Sequence, residues 1–216
     1  LSIETKICGV NARAALDAAI DGGASLVGFV FYPPSPRSLT PEEAAPLARA
    51  AGSAVVRVGL FVDPTDDELD RTIGKVPLDL LQLHGKESPD RVGAIRRRFG
   101  IPVMKAIPVA VAADLAVAAD YFDVADRLLF DAKPPKDLKN ALPGGNAVSF
   151  DWRLLAGRTW PLPWMLSGGL HADNLAEAVR ITGASAVDVS SGVEERPGRK
   201  DPARIGAFLT AARRIG

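Results

Sequence analysis

The sequence holds one cysteine and two histidines among 216 residues. A lone cysteine closes no internal disulfide, which fits a reducing compartment, and the expected location is cytoplasmic. So small a Cys/His inventory is poor material for a metal site, and no metal is predicted. There is no Walker-type glycine-lysine loop and no GxGxxG dinucleotide fingerprint. No apolar run approaches the ~18–20 residues of a membrane span, and no basic-then-apolar leader opens the sequence. Leu1, where methionine would be usual, suggests a trimmed start. Neither sign of charge is in excess, with 26 basic against 26 acidic residues. That balance argues against a nucleic-acid-binding face or a membrane-surface helix.

What is present alternates from end to end. Strand-like runs are Ile3–Cys8, Leu26–Phe31, Val55–Phe61, Leu78–Leu83, Val103–Ile107, Leu128–Phe130, Trp164–Leu166 and Ala186–Val189. Most are continuously apolar, as parallel strands covered on both faces should be. Helix starts are readable between them. Thr40-Pro41-Glu42-Glu43 and Thr65-Asp66-Asp67-Glu68 read as capping boxes, the first with proline at the opening helical position. Ser88-Pro89 and Asp201-Pro202 repeat the cap-then-proline signal. Eight strands, each followed by a helix or a helix-sized segment, predict one (β/α)8 TIM-barrel domain spanning residues 1–216. Pro46 falls inside the helix after Thr40 and should kink or shorten it. Lys133 to Val148 is long, polar and rich in Gly and Pro, and is expected to be a substrate lid on the rim after strand six.

Barrel enzymes place their chemistry at the C-terminal ends of the strands. The side chains expected there include Cys8, Arg37, His84, Asp131 and Asp188. Cys8 reads either as a small core hydrophobe or as a thiolate base. A thiol ordinarily titrates near ~8.5, so a ready base would need a site that favours the thiolate. Asp131 reads as a partner of Lys133, as a turn cap or as a general acid. The acid role requires it to hold a proton near pH 7, and Leu129 and Phe130 are expected to supply an apolar setting. Arg37 stands on the proline-rich loop Pro33–Ser38, either solvated or as a stiffened bidentate clamp for a carboxylate. His84 reads as a structural hydrogen-bonder or a ligand contact; His171 reads as structural. Two loops, Ser167-Gly168-Gly169-Leu170 and Ser190-Ser191-Gly192-Val193, follow strands seven and eight, where barrels commonly bind phosphate. Together they point to a small phosphorylated substrate.

Six segments in order resemble the phosphoribosylanthranilate isomerase family. They are Lys6-Ile7-Cys8-Gly9; Gly28-Phe29-Val30-Phe31 through Pro36-Arg37; Gln82-Leu83-His84-Gly85; Phe130-Asp131; Ser167–Leu170 with Asn174; and Asp188 through Glu194. The set covers essentially the whole chain. The resemblance implies a cofactor-free Amadori rearrangement of N-(5'-phosphoribosyl)anthranilate to 1-(o-carboxyphenylamino)-1-deoxyribulose 5-phosphate, in tryptophan biosynthesis. It implies Asp131 as general acid and Cys8 as general base. It places Arg37 at the anthranilate carboxylate and Asp188 near the anthranilate amine; His84, at the end of strand four, is expected to be a substrate contact on its position alone. Gly168, Gly169, Ser190, Ser191 and Gly192 would hold the phosphate. One departure is Asn146-Ala147, where the family often carries a pair ending in glycine. Ala147 restricts the backbone more than glycine does.

The rival readings are the related sugar-phosphate isomerase of histidine biosynthesis and a non-catalytic phosphate-ligand-binding barrel. The first uses an aspartate pair and a second phosphate site, so Cys8 and the single evident phosphate cradle count against it. The second would need neither Cys8 nor Asp131. A fold alone implies no particular function.

Overall fold

A computed structural model describes residues 3–134, 142–146 and 148–215. Eight parallel strands close into a barrel in chain order, β8 returning to pair with β1. They are β1 (Glu4–Cys8), β2 (Leu26–Val30), β3 (Val56–Phe61), β4 (Leu80–Leu83), β5 (Val103–Val109), β6 (Arg127–Ala132), β7 (Trp164–Leu166) and β8 (Ala186–Val189). The (β/α)8 barrel read from the sequence is thus observed. Each predicted strand is present, with ends displaced by at most two residues. Asp131 consequently lies within β6 rather than just beyond it.

Among the described residues six α-helices cover the outside: α1 (Arg13–Asp21), α2 (Pro41–Ala51), α3 (Asp66–Ile73), α4 (Pro89–Phe99), α5 (Leu175–Thr182) and α6 (Pro202–Arg213). After β5 and β6 the chain forms 3-10 helices instead, Ala112–Tyr121 and Trp152–Leu155. Both expected capping boxes form: Thr40 with Glu43, and Thr65 with Glu68. Ser88 and Asp201 cap α4 and α6. Pro46 does not shorten α2, which runs through it to Ala51. The proline is exposed. The one carbonyl left without its helical donor therefore lies where water can reach it.

Side-chain alternation along the strands sorts two cores. Outward residues such as Ile7, Phe29, Leu81 and Phe130 pack beneath the helices. Inward residues Leu26, Val58, Leu80, Met104, Leu129 and Met165 plug the barrel floor. Above that plug the inner face turns polar, with Lys6, Gln82 and Asp188 all buried. This change of character along one face prepares the rim. No helix among the described residues is long and apolar enough to cross a membrane.

Candidate active site

One cavity at the C-terminal rim is lined by Cys8, Arg37, His84, Asp131 and Asp188, and by residues of both glycine loops. The strand ends bring together every side chain expected there.

Cys8 ends β1 on the inner face. Two residues earlier, on the same face, Lys6 is fully buried and its Nζ donates to Asp188 Oδ1 at 2.8 Å. Both Cys8 and Lys6 crowd Gly28, which pairs with Cys8 across β1 and β2. A methyl group at Gly28 would stand 3.1 Å from the sulfur and 3.2 Å from the ammonium. Glycine there is what lets the two groups share the space. Burial pushes the Cys8 thiol up; Lys6 pulls it down, Asp188 pushes it further up, and the net direction is up. The site in this form therefore does not favour the thiolate, contrary to what a ready base would need. Burial alone would lower Lys6, but the Asp188 carboxylate beside it outweighs this and the net direction is up, so it stays a cation. Asp188 is completed by Ser167, whose Oγ donates to Oδ2 at 3.2 Å.

Asp131 stands on β6 above Leu129. Phe130 faces the opposite way, onto Trp160 and Trp164, so it does not supply the expected apolar wall. Lys133 pairs with Asp114 rather than with Asp131. Asp131 Oδ1 accepts from the Ala132 N–H at 2.9 Å, and Oδ2 lies 3.2 Å from His84 Nε2. His84 Nδ1 in turn lies 2.8 Å from Gln82 Nε2. The turn after β4 is pinned from outside the barrel. Lys105 Nζ donates to the Gly85 carbonyl and to Glu87, both at 2.8 Å, and Glu87 accepts from the Asp63 and Gly85 N–H groups.

Arg37 is buried, but its clamp is already engaged. Nε and Nη2 donate to the two oxygens of Glu194, each at 2.8 Å, and Nη2 also reaches the Gly145 carbonyl at 3.1 Å. The bidentate fork is therefore not open to a ligand; among the described residues, Nη1 makes no hydrogen bond. Glu194 opens the short hairpin formed by β9 (Glu194–Arg196) and β10 (Arg199–Lys200), and it also takes Lys200 Nζ at 2.8 Å. Burial opposes ionisation of Glu194, yet Arg37 and Lys200 hold it below the usual carboxylate range. Lys200 continues to the Ser190 carbonyl and hydroxyl, and Ser190 Oγ donates to the Cys8 carbonyl at 3.2 Å. The proline loop thus positions Arg37 with the help of a hairpin more than 150 residues away.

The first glycine loop turns on two left-handed residues. Gly168 and Gly169 adopt φ of 91° and 66°, which a side chain disfavours. The N–H groups of Gly168, Gly169, Ser191 and Gly192 find no acceptor among the described residues. Asn174 braces the first loop by donating to the Gly169 carbonyl at 2.9 Å. Gly192 itself is not part of the cavity lining. A methyl group on it would overlap the Leu170 carbonyl oxygen, so this glycine sets how closely the two loops approach. His171 is half exposed and lies near Asp173, which suits its structural reading.

The loop after β6 covers one side of the cavity with Leu142 to Asn146 and Val148. A methyl group at Gly144 would stand 2.6 Å from Asp131 Oδ2 and 2.8 Å from His84 Nε2. Residues 135–141 and Ala147, on which the lid expectation and the family departure partly fall, lie outside the described residues.

Sequence reasoning gave no role in the site to Lys6, Gln82, Glu194 and Lys200, and saw Ser167 only as part of a phosphate loop, not as a partner of Asp188. Period-two spacing could have found two of them: Lys6 and Gln82 each precede a candidate residue by two positions and share its face.

Fold and cavity together define a (β/α)8-barrel enzyme with its site at the C-terminal rim. A family model described as N-(5'phosphoribosyl)anthranilate (PRA) isomerase matches residues 5–211. An N-(5'-phosphoribosyl)anthranilate isomerase from Rhodospirillum centenum is 63% identical over 212 residues, 98% of this chain and 99% of that protein. The crystal structure of the phosphoribosyl anthranilate isomerase from Thermotoga maritima superposes with a TM-score of 0.86 at 34% identity, covering 97% of this chain and 98% of that one. A crystal structure of the isomerase in complex with reduced 1-(o-carboxyphenylamino)-1-deoxyribulose 5-phosphate matches with a TM-score of 0.82 at 33% identity, covering 97% and 98%. The chain belongs to the N-(5'-phosphoribosyl)anthranilate isomerase family.

Proposed function

We propose that this chain isomerises N-(5'-phosphoribosyl)anthranilate by general acid–base catalysis, within tryptophan biosynthesis. The observation that carries the reading is the placement of Cys8 and Asp131 on one cavity together with the two glycine loops.

Asp131 gives its proton to the ribose ring oxygen as the C1'–O bond breaks. The nitrogen lone pair forms the C=N bond of an iminium. That cation acidifies the C2' proton, which Cys8 removes as thiolate. The enolamine then tautomerises to the ketone. Asp131 gives one proton and Cys8 takes one, so exchange with solvent resets the pair. The thiol is pushed up by burial at rest. The cationic iminium, together with Lys6, supplies the positive charge that favours the thiolate when it is needed.

The open N–H groups of Gly168, Gly169, Ser191 and Gly192 support a phosphate cradle. Ser190 acts through its bonds to the Cys8 carbonyl and Lys200. Arg37 meets the anthranilate carboxylate through Nη1, with Glu194 fixing its plane. Asp188 faces the amine side, and His84 steadies the acid. Phosphate and carboxylate anchored at opposite ends hold the sugar between acid and base. No nucleic-acid, membrane or oligomeric partner is proposed. The free thiol suits a cytoplasmic setting.

The test is the loss of anthranilate-type fluorescence when protein meets freshly generated substrate, with product confirmed by mass. Cys8→Ala and Asp131→Asn should each lower kcat by at least ~10²-fold with little change in KM, since a positioned proton transfer contributes ~10²–10⁴. A near-normal kcat in either variant rejects the role given to that residue.

A further inference from the structure

Gln82 is a fully buried amide on the inner face of β4, two residues before His84. Its Nε2 lies 2.8 Å from His84 Nδ1, while its Oε1 has no hydrogen-bond partner among the described residues. An amide nitrogen only donates, so His84 Nδ1 must be the acceptor. The ring proton then sits on Nε2, 3.2 Å from Asp131 Oδ2. The three side chains form a row in which each hydrogen bond dictates the direction of the next.

We infer that Gln82 is a positioning residue of the isomerisation: it fixes the His84 tautomer that receives the Asp131 carboxylate. The inference rests on Asp131 as the acid, proposed above. When Asp131 releases its proton to the ring oxygen, a negative charge develops on a carboxylate in a buried site. The Nε2–H of His84 is already aimed at it, and the Ala132 N–H already holds the other oxygen. Donors fixed before charge develops need no reorganisation at the moment of reaction. The opposite tautomer would present a lone pair to that charge.

Other charges face this row. Lys105 and Glu87 clamp the turn that follows His84, and Cys8, Arg37 and Asp188 line the same cavity with Lys6 beneath. A change in pH profile alone could come from any of them, so the primary readout is the tautomer itself. The chain has only two histidines, and His171 is at the surface. Long-range ¹H–¹⁵N spectra of the imidazoles therefore report His84 almost without overlap.

In the wild type we expect a protonated Nε2 and an unprotonated Nδ1. In Gln82→Glu a carboxylate replaces the donor, and Nδ1 should become protonated. Its kcat should fall at least tenfold with KM within about threefold, the pattern of an interaction made only in the transition state. Gln82→Met keeps the volume and removes the donor without burying a charge. It should lose the fixed tautomer and show a smaller fall in kcat. A wild-type Nδ1–H, an unchanged imidazole in Gln82→Glu, or a normal kcat where the tautomer has moved would overturn the inference. Failure of the acid assignment is separately visible as a normal kcat in Asp131→Asn, whatever the imidazole spectra show.

Discussion

Replacing Lys6 with methionine keeps its length and removes its charge, and the structure assigns that change two separable effects. The first is on stability. Lys6 Nζ and Asp188 Oδ1 are 2.8 Å apart, with side-chain exposures of 0% and 5%. Breaking a buried pair by removing one partner costs about 3–5 kcal/mol, because the other charge stays buried. In a domain of this size 1 kcal/mol shifts Tm by about 2–4 °C, so Tm should fall by about 6–20 °C. The second effect is on the thiol. Burial raises Cys8 and Lys6 is the strongest influence opposing it. Without the cation the thiolate becomes scarcer, tenfold for every ~1.4 kcal/mol of attraction removed. Alkylation by iodoacetamide near pH 8 should slow at least ~tenfold, and the single cysteine makes the mass change unambiguous. The double variant Lys6→Met/Asp188→Leu removes both charges and should recover much of the Tm, but only part of the alkylation rate, because Lys6 lowers the thiol more than Asp188 raises it. Should Lys6→Met alkylate as fast as the wild type, Lys6 is not what sustains the thiolate, and the account of the base is wrong.

Other tests follow from the same geometry. Because the reaction needs Asp131 protonated and Cys8 as thiolate together, kcat/KM of the free enzyme should trace a bell, and the raised Cys8 puts its alkaline limb above the usual thiol range; an alkaline limb already falling at pH 7 would contradict the buried-thiol picture. For the same reason, stability from Cys8 is fully present below the unfolded thiol value and lost as pH rises through the folded one, which denaturant titrations from pH 7 upward would register. Gly192→Ala forces a methyl group into the Leu170 carbonyl and should spread the two glycine loops. Losing one charge-assisted hydrogen bond is worth about 1.5–3 kcal/mol, so inhibition by inorganic phosphate should weaken ~10–100-fold. Glu194→Gln releases one charge from the bonds that fix Arg37 and Lys200, and should raise KM severalfold with a lower Tm; an unchanged KM would show that Arg37 is held by its loop alone.

The barrel was legible because parallel strands buried on both faces read as apolar runs, and Val103 or Leu128 needed no partner to be recognised. The caps were legible because Thr40 and Thr65 act within one turn of their own helices. Local patterns could not reveal the 3-10 geometry after β5, where an alanine-rich stretch satisfies either helix. The candidate residues were found as strand-end chemistry, but their partners were not. Arg37 looked like an open clamp because Glu194 is 157 positions away. Lys6, Glu194 and Lys200 carry charges that composition assigns to the surface, and only barrel closure shows them buried against one another. Phe130 looked like a neighbour of Asp131 in sequence, and strand alternation turns it away.

The closure of β8 onto β1 has a consequence for the order in which this molecule is made. Lys6 meets Asp188, and the Cys8 carbonyl meets Ser190, each across 182 positions. A ribosome that has released the first seven strands has delivered Cys8 and Lys6, but neither the carboxylate that neutralises Lys6 nor the serine that holds the end of β1. Such long loops are slow to close. Until they do, the nascent chain carries an unpaired lysine at the centre of what will be its driest layer. The last barrel strand to emerge, with the serine that follows it, therefore closes the shell and pairs Lys6 in one event, and the hairpin that fixes Arg37 emerges only after it.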